Sequence, residues 1–199
     1  MATAMADRLA ATDRLTLMGR NATKLSELAR KHQATGLSVD VTDALELDAA
    51  MADLAPVDRL VYAVGVGARG KLATLEPHRI RDVVDANLTG FLLTMRYADA
   101  VLTEHAQVVV FGAQAGLIQH PQFAAYAAAK AGLDVAVSIL RKEMRRRAFM
   151  LVAPGPVDTP FWEAVGPVPK HALTPGAVAD EVMAALTLEA LPERLEPNP

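Results

Sequence analysis

The segment RLTLMGRNATKLSELARKHQATGLSVDV, residues 14–41, contains the pattern from which the fold class follows. A short β-type run at 14–18 is followed by a helical pattern that Asn21 can cap, and a second β-type run occupies 37–41. Two strands joined through a helix in this way form a crossover unit of a parallel sheet. The segment therefore predicts an α/β protein.

The same alternation of short strands and longer helices continues along the chain. Further strands are predicted at 59–64, 107–112, 148–152 and Arg194–Glu196. The predicted helices include one long helix or two in succession from Pro77 to His105, another at 123–147, and a last one from Pro175 to about Leu188. We predict a single domain over residues 1–199, built as a doubly wound, Rossmann-like parallel sheet.

Composition and charge exclude several classes of protein. The chain has no cysteine, so it cannot form a disulfide, use a thiol nucleophile or bind zinc through thiolates. A net charge of −3 provides no general basic surface for nucleic acid. No apolar run approaches the ~18 residues of a membrane span, and the N-terminal segment carries Asp7 and Asp13 instead of a signal-peptide core. We therefore predict a cytoplasmic, soluble protein with no metal site, no nucleic-acid partner and no membrane partner.

A glycine-rich stretch, VGVGARGKL at 64–72, resembles a phosphate-binding loop. Its glycines fit the dinucleotide pattern G-x-G-x-x-G, and the positions from Gly65 to Lys71 also fit a P-loop. However, Leu72 stands where a P-loop needs Ser or Thr for Mg²⁺, and the acidic residue that the dinucleotide pattern needs at the next strand tip is missing. We therefore predict that these glycines allow turns and close backbone approach, and that they form no independent phosphate site.

A sharper signal lies in FAAYAAAKAGLDVA, residues 123–136, where Tyr126 and Lys130 are four residues apart on a predicted helix. Side chains at this spacing share a helix face, and an ammonium beside a phenol lowers the pKa of the phenol from its ordinary value of about 10. Such a tyrosine can act as a general acid or base. A tyrosine and a lysine at this spacing are a weak signal by themselves. The alternative interpretation is a packed tyrosine with a lysine on the surface.

Several segments resemble, in consistent order along the chain, the motifs of the short-chain dehydrogenase/reductase family. They are LTLMGRN at 15–21, VDVTD at 39–43, VYAVG at 61–65, DANLTGF at 85–91, YAAAK at 126–130 and APGPVDTPF at 153–161. In that order they are similar to the family's second strand and turn, adenine-contacting segment, N-N-A-G motif, asparagine-bearing helix, Tyr/Lys pair and loop after the sixth strand. Several ordered motifs are far more specific than one.

The resemblance implies an NAD(P)(H)-dependent oxidoreductase that interconverts a carbonyl and an alcohol by hydride transfer. It assigns proton transfer to Tyr126, the tuning of that tyrosine and the nicotinamide ribose to Lys130, and a proton-relay water to Asn87. The residues that it assigns to the cofactor are Ala63, Gly65, Tyr126, Lys130, Pro154, Gly155, Val157 and Thr159, with Asp40 and Val41 at the adenine. For Asn87 the alternative is a polar residue that bends a long helix.

The turn after the strand at 14–18 bears on the choice of cofactor. An acidic residue there accepts the ribose hydroxyl of NAD, whereas an arginine suits the 2′-phosphate of NADP. The turn is Gly19-Arg20-Asn21, so we predict NADP(H) over NAD(H), with a surface role for Arg20 as the alternative. The resemblance further implies a small carbonyl or alcohol substrate and a homo-oligomer formed through the long helices at 77–105 and 123–147.

The chain departs from the family at two places. Ala113 stands where the family has its substrate-binding serine, and losing such a donor to an oxyanion typically costs about 2.7–4 kcal/mol. Gln114, the next residue, is a candidate substitute donor. The second candidate function is accordingly a catalytically impaired relative that binds a nucleotide or a protein as a regulator.

The second departure is at the start of the chain, which begins with a helix where the family first has a strand and a glycine-rich turn. In the usual strand order the missing strand lies between those predicted at 14–18 and 59–64. We therefore expect a fold that lacks the first strand, with those two strands either left with unpaired edges or forced together. The domain is then N-terminally incomplete.

Overall fold

A computed structural model describes residues 1–114 and 118–198 of the chain. The strands are β1 (Thr16–Gly19), β2 (Thr35–Ser38), β3 (Val57–Tyr62), β4 (Leu102–Phe111), β5 (Ala148–Val152) and β6 (Arg194–Leu195). The α-helices include α1 (Ala2–Leu9), α2 (Ala22–His32), α3 (Ala44–Ala52), α4 (Pro77–Val84), α5 (Gly90–Ala98), α6 (Ala124–Glu143) and α7 (Pro175–Leu186). Every ladder between these strands is parallel, which confirms the predicted α/β class. Within the two described ranges, no helix is long and apolar enough to cross a lipid bilayer.

The strands form two separate sheets. β1 pairs with β2, whereas β3, β4, β5 and β6 form a second sheet in that order. Among the residues that the structure describes, no strand lies between β1 and β3, so each of them keeps one edge without a ladder. Of the two outcomes expected for a fold without its first strand, the protein therefore shows unpaired edges.

An apolar groove of about 540 Å³ lies between the two sheets, and we call it the inter-sheet groove. Leu17 of β1 and Leu60 of β3 line it from the two strand edges. Met5 of α1 and Met51 of α3 line it from opposite faces of the sheets. The groove thus offers apolar side chains above and below two strand edges that carry no ladder of their own.

The four-stranded sheet carries most of the hydrophobic core. Val108, Val109 and Val110 of β4 have no exposed surface, because helices cover both faces of the sheet. Helices α5 and α6 pack against one face with Phe91 and Leu133, while α1 and α7 cover the other. This packing holds the carboxyl ends of β3, β4 and β5 side by side.

The C-terminal boundary predicted for the helix that begins at Pro77 was wrong. The helix predicted from Pro77 to His105 ends at Ala98, and β4 already begins at Leu102. The amide of Val57 donates to the carbonyl of Val101 at 2.8 Å, and β3 pairs with β4 from that point. The first residues of β4 have a helical pattern in the sequence, but pairing with β3 places them in the sheet.

The later helices also end before their predicted boundaries. The helix predicted at 123–147 is α6 and stops at Glu143, and the last helix stops at Leu186. Arg147 explains why the helix predicted at 123–147 ends early, because its guanidinium donates to the carbonyls of Asp99 and Leu102. These bonds tie the end of the segment to the start of β4 and keep it outside the helix.

Candidate active site

A cavity of about 720 Å³ opens at the carboxyl ends of β3, β4 and β5. Open parallel sheets bind their ligands at this edge. Most of the predicted site residues line the cavity: Ala63, Gly65, Tyr126, Lys130, Pro154, Gly155, Val157 and Thr159. The first two follow β3, the Tyr/Lys pair lies on α6, and the others belong to the loop after β5. Residues far apart in the sequence are thus gathered at one edge of the sheet.

Tyr126 and Lys130 lie one turn apart on α6, and both line this cavity. Only 5% of the Lys130 surface is exposed. Its Nζ donates to the carbonyl of Phe111 at 2.8 Å and lies 5.9 Å from the centroid of the Tyr126 ring. The alternative of a surface lysine is therefore wrong, since Lys130 is a buried and hydrogen-bonded part of the cavity wall.

The pKa of Tyr126 differs from the expectation drawn from the sequence. We expected Lys130 to lower it, whereas burial raises the pKa of Tyr126 above the ordinary value for a phenol. Burial also lowers the pKa of Lys130 to about 8. Both shifts have one cause, which is that apolar surroundings disfavour the charged form of each side chain. Tyr126 is therefore a neutral phenol at physiological pH in this structure.

Asn87 lies in a π-helical turn, Asp85–Thr89, between α4 and α5. Its side chain is fully buried, and Nδ2 donates to the carbonyls of Val66 and Val83, both at 2.8 Å. The bond to Val83 takes up a carbonyl four residues earlier, which a regular helix would bond through its backbone. The alternative of a polar residue that distorts a long helix is thus consistent with the geometry.

The second polar atom of Asn87 points to a further role. Its Oδ1 is buried and has no hydrogen-bond partner, which typically costs about 1–3 kcal/mol. A Cβ added at Gly65 would lie 2.8 Å from this oxygen and 3.6 Å from Lys130 Nζ, so both polar atoms flank that glycine. A water molecule bound there would satisfy the oxygen, as the predicted proton relay requires.

The glycine-rich stretch at 64–72 packs beside the cavity and does not begin a helix. A short 3₁₀ turn, Leu72–Thr74, follows it, and α4 begins only at Pro77. A P-loop requires an α-helix that begins directly after its glycine-rich pattern. Here no α-helix begins at that point. A Cβ at Gly67 would lie 2.4 Å from a ring carbon of Phe161, so glycine allows the two segments to meet.

The structure does not bring the adenine-side residues into this cavity. Arg20 Nη1 lies 3.6 Å from Asp40 Oδ2, and Asp40 Oδ1 accepts hydrogen bonds from the amide and hydroxyl of Thr42. Burial alone would raise the pKa of Asp40, but these bonds and the Arg20 charge hold it below its ordinary value. Val41 lines the inter-sheet groove, which borders the cavity at Ala63.

Ala113 and Gln114 both line the cavity. Ala113 contributes no hydroxyl where the family places its serine. Gln114 Nε2 donates to Oδ1 of Asn198 at 2.6 Å, so the C-terminal segment engages the amide suggested as a substitute donor. A role for Gln114 on a substrate stays a prediction.

Four aromatic side chains form one side of the cavity, and we call them the aromatic wall: Phe123, Tyr126, Phe161 and Trp162. The Tyr126 ring centroid is 5.1 Å from that of Phe161 and 6.3 Å from that of Phe123. Trp162 meets Phe161 edge-on at 5.5 Å and donates its indole N–H to the carbonyl of Val157 at 2.8 Å. Sequence reasoning missed Phe123, although it precedes Tyr126 by three positions, the spacing at which helical side chains meet.

Comparison with known proteins identifies the family and the fold. The family model described as short chain dehydrogenase matches residues 1–169. The 3-oxoacyl-[acyl-carrier-protein] reductase MabA of Mycobacterium avium is 29% identical over 166 residues, which cover 76% of this chain and 65% of that protein. An inactive 2-(S)-hydroxypropyl-CoM dehydrogenase of Xanthobacter autotrophicus is 35% identical over 115 residues, covering 55% and 49% of the two chains. The chain therefore spans from about half to just under two thirds of the length of these relatives.

Solved structures include a similar fold over nearly the whole chain. A protein from Thermus thermophilus, named as a short-chain oxidoreductase, superimposes with a TM-score of 0.86 and 35% sequence identity. The match covers 93% of this chain and 90% of that one. The arrangement of helices and strands described above is therefore shared with a protein of known structure.

Proposed function

This chain belongs to the short-chain dehydrogenase family, and we propose that it is an NAD(P)(H)-dependent oxidoreductase that interconverts a carbonyl and an alcohol by hydride transfer. The observation that carries the proposal is that Tyr126 and Lys130 line the cavity together, while Lys130 Nζ and the buried Oδ1 of Asn87 both lie beside Gly65. In this arrangement Tyr126 is the general acid or base, Lys130 supports it, and Asn87 holds a water.

The protonation state of Tyr126 suits carbonyl reduction. Reduction needs a proton donor at the carbonyl oxygen while hydride reaches the carbon. Because burial raises the pKa of Tyr126, the phenol stays protonated at neutral pH and can donate. Alcohol oxidation needs the phenolate, so we expect it to be favoured only at higher pH.

Lys130 and Asn87 can return a proton to the cavity. The Lys130 ammonium has three donors, and its bond to the Phe111 carbonyl uses one of them. Asn87 Oδ1 has an open acceptor position on the same side of Gly65. A water held between the two groups would satisfy Asn87 Oδ1 and give Lys130 a second hydrogen-bond partner, and in the proposed relay it passes a proton toward the phenol after each turnover.

The cavity fits a nicotinamide cofactor, which supplies the hydride when it is bound. The loop residues Pro154, Gly155, Val157 and Thr159 would contact its nicotinamide end. Met1 at the start of α1 also lines the cavity, and the first amides of that helix have no partner within the helix. The positive end of the helix dipole therefore favours an anion such as a cofactor phosphate at this wall.

The proposal is tested by following NADPH oxidation with a panel of ketones. Tyr126→Phe should lower kcat by about 10²- to 10⁴-fold, because it removes the proton donor. NADPH affinity should stay within about twofold, since the ring remains in place. Tyr97→Phe on α5, outside the cavity, is the matched control. Full activity of Tyr126→Phe would overturn the assignment.

A second candidate is a catalytically impaired relative that binds a nucleotide or a protein as a regulator. Ala113 lacks the family hydroxyl, and the neighbouring Gln114 amide is bonded to Asn198. The similarity to a relative named as inactive adds to these observations. This candidate prevails if the folded protein binds NADPH and reduces no ketone above the background rate, while Ala113→Ser restores measurable reduction.

We also propose a homo-oligomer formed through α5 and α6, in a cytoplasmic protein that acts on a small carbonyl or alcohol. Leu92, Val135 and Ile139 are apolar side chains on these helices that remain exposed, and a second copy would bury them. Sedimentation velocity tests the proposal. Val135→Asp combined with Ile139→Asp should convert the oligomer to a monomer, and an unchanged mass would contradict it.

A further inference from the structure

Arg69 lies at the edge of the active-site cavity, in the connection between β3 and α4. Its guanidinium carbon is 6.0 Å from the centroid of the Phe123 ring, and that centroid is 6.3 Å from the Tyr126 ring. Arg69 is therefore separated from the proton donor by one aromatic ring. From there it can contact a part of a ligand other than the reacting carbonyl.

Gln122 holds Arg69 in this position. Arg69 Nε donates to Gln122 Oε1 at 3.1 Å, and the amide of Gly70 donates to the Gln122 carbonyl at 3.0 Å. Gln122 has a φ of 77°, in the left-handed region that is unfavourable for a residue with a side chain. This conformation presents both oxygens of Gln122 to the Arg69 loop. The bond to Gln122 uses Nε, and within residues 1–114 and 118–198 the two Nη atoms donate no hydrogen bond, so they can face an anion.

The described part of the cavity wall has charged groups of one sign only. Its basic side chains are Arg69, His120 and Lys130, and no aspartate or glutamate is among its described residues. The neighbouring positions 115–117 are Ala, Gly and Leu in the sequence and add no charge. An anion that enters the cavity is attracted by the basic groups without an opposing carboxylate in this wall.

Between Arg69 and the reacting centre, the cavity is apolar. Phe123 and Phe161 flank the Tyr126 ring, and Ile118 adds an aliphatic surface. Flat apolar groups pack well against aromatic side chains arranged in this way. The ligand that fits all three features has a carbonyl, an apolar body and an anionic end.

We infer that the cavity selects carbonyl substrates with an aromatic or other apolar body and a carboxylate remote from the carbonyl. The carbonyl oxygen meets Tyr126, the body lies along the aromatic wall, and the carboxylate pairs with Arg69. The reaction in this inference rests on the proposed function. The binding does not, because Arg69 holds the anion whether or not hydride transfer follows.

The test compares 4-acetylbenzoate with its methyl ester, which keeps the ring and ketone but removes the charge. Quenching of Trp162 in the aromatic wall gives both dissociation constants without turnover. The wild type should bind the carboxylate about fivefold to tenfold more tightly than the ester, and Arg69→Gln should remove this difference. Arg69→Lys should keep part of it, because a lysine retains the charge but not the two-pronged geometry. Added salt should reduce the difference between the dissociation constants of the carboxylate and the ester, because it screens the charge of Arg69.

Arg79→Gln is the matched control, because Arg79 lies on α4 outside the cavity wall. Equal affinity of the wild type for the two ketones overturns the inference, and so does an Arg69→Gln variant that weakens both ligands alike. Arg69-dependent binding of 4-acetylbenzoate without its reduction supports the subsite and contradicts the proposed function. If the wild type and Arg69→Gln both reduce the two ketones, and all four KM values are equal, the result supports the proposed function and contradicts the carboxylate subsite.

Discussion

The four-stranded and two-stranded sheets differ in how deeply their side chains are buried. The side chains of β5 from Phe149 to Val152 are buried, whereas no residue of β1 or β2 is. Tyr126 and Lys130 lie on a helix that packs on the four-stranded sheet. Arg20 and the residues proposed for the adenine follow the strands of the two-stranded sheet. The groups proposed for the chemistry and for the nicotinamide therefore stand on the firmly packed part of the molecule, and those proposed for the adenine end of the cofactor stand on the loosely packed part.

Ion pairs contribute to the attachment of the two-stranded sheet. Asp7 of α1 pairs with Lys31 Nζ at 2.5 Å and is hydrogen-bonded to His32 Nε2 at 2.8 Å, at the end of α2. Arg59 of β3 pairs with Asp13 at 2.7 Å, between α1 and β1. Partly exposed pairs of this kind contribute up to about 1 kcal/mol each, less than a buried apolar side chain. We therefore expect β1 and β2 to open before the four-stranded sheet does.

The largest expected contrast is in the cost of removing a leucine from each sheet. Leu151→Ala in β5, where 2% of the side chain is exposed, should lower the free energy of unfolding by about 2–5 kcal/mol. Leu17→Ala in β1 should cost less than about 1.5 kcal/mol, because it already borders the inter-sheet groove and leaves no new enclosed cavity. Urea unfolding followed by circular dichroism measures both. Equal losses would mean that the two sheets are packed equally well.

A smaller effect concerns the buried lysine on the four-stranded side. The pKa of Lys130 is about 8 in the folded protein and 10.5 for an ordinary lysine, so between these values the unfolded chain binds a proton that the folded chain does not. The free energy of unfolding should therefore rise as the pH increases from about 8 to 10, by at most about 3 kcal/mol. Above pH 10 the tyrosines add an opposite slope, since burial raises the pKa of Tyr62 and Tyr126.

Lys130→Met isolates this contribution. It should remove the rise between pH 8 and 10 and stabilise the protein at pH 7, where the wild type has a buried charge. Lys142→Met on the exposed end of α6 is the control and should leave the slope unchanged. A slope that persists in Lys130→Met would show that another group is responsible.

The smallest effect is expected at the cofactor end of the loosely packed part. Arg20 has 66% of its side chain exposed, so its contribution to binding a 2′-phosphate is screened by solvent. Arg20→Ala should weaken NADPH binding about fivefold and change NADH binding less than about twofold. Fluorescence titration with each cofactor gives the two dissociation constants and their ratio. If Arg20→Ala weakened the binding of NADPH and NADH equally, the reason for assigning NADP(H) over NAD(H) would be removed.

The sequence was informative where local pattern and chemistry coincide. The strands of the core are runs of apolar residues, and the Tyr126 and Lys130 spacing fixes a common helix face before any tertiary contact is known. Both predictions depend on neighbours within one turn or one strand. The boundary at Leu102 was missed because a long-range ladder with β3 outweighs a helical pattern.

The properties that escaped prediction arise from contacts between distant segments. The pKa of Tyr126 depends on burial, and Phe161, which lies 5.1 Å away between ring centroids, comes from the loop after β5. Arg69 is positioned by Gln122, 53 residues further on. No local spacing in the sequence indicates either contact, so the sequence predicts candidate reacting groups but not the surroundings that set their properties.

The position of the single tryptophan determines what fluorescence reports on heating. Trp162 is bonded to the Val157 carbonyl and packs on Phe161, which in turn packs on Tyr126. Its emission therefore senses the opening of the aromatic wall, whereas circular dichroism senses the loss of helices as a whole. The gap between the two melting midpoints measures how far the aromatic wall loosens while the rest of the molecule is still folded.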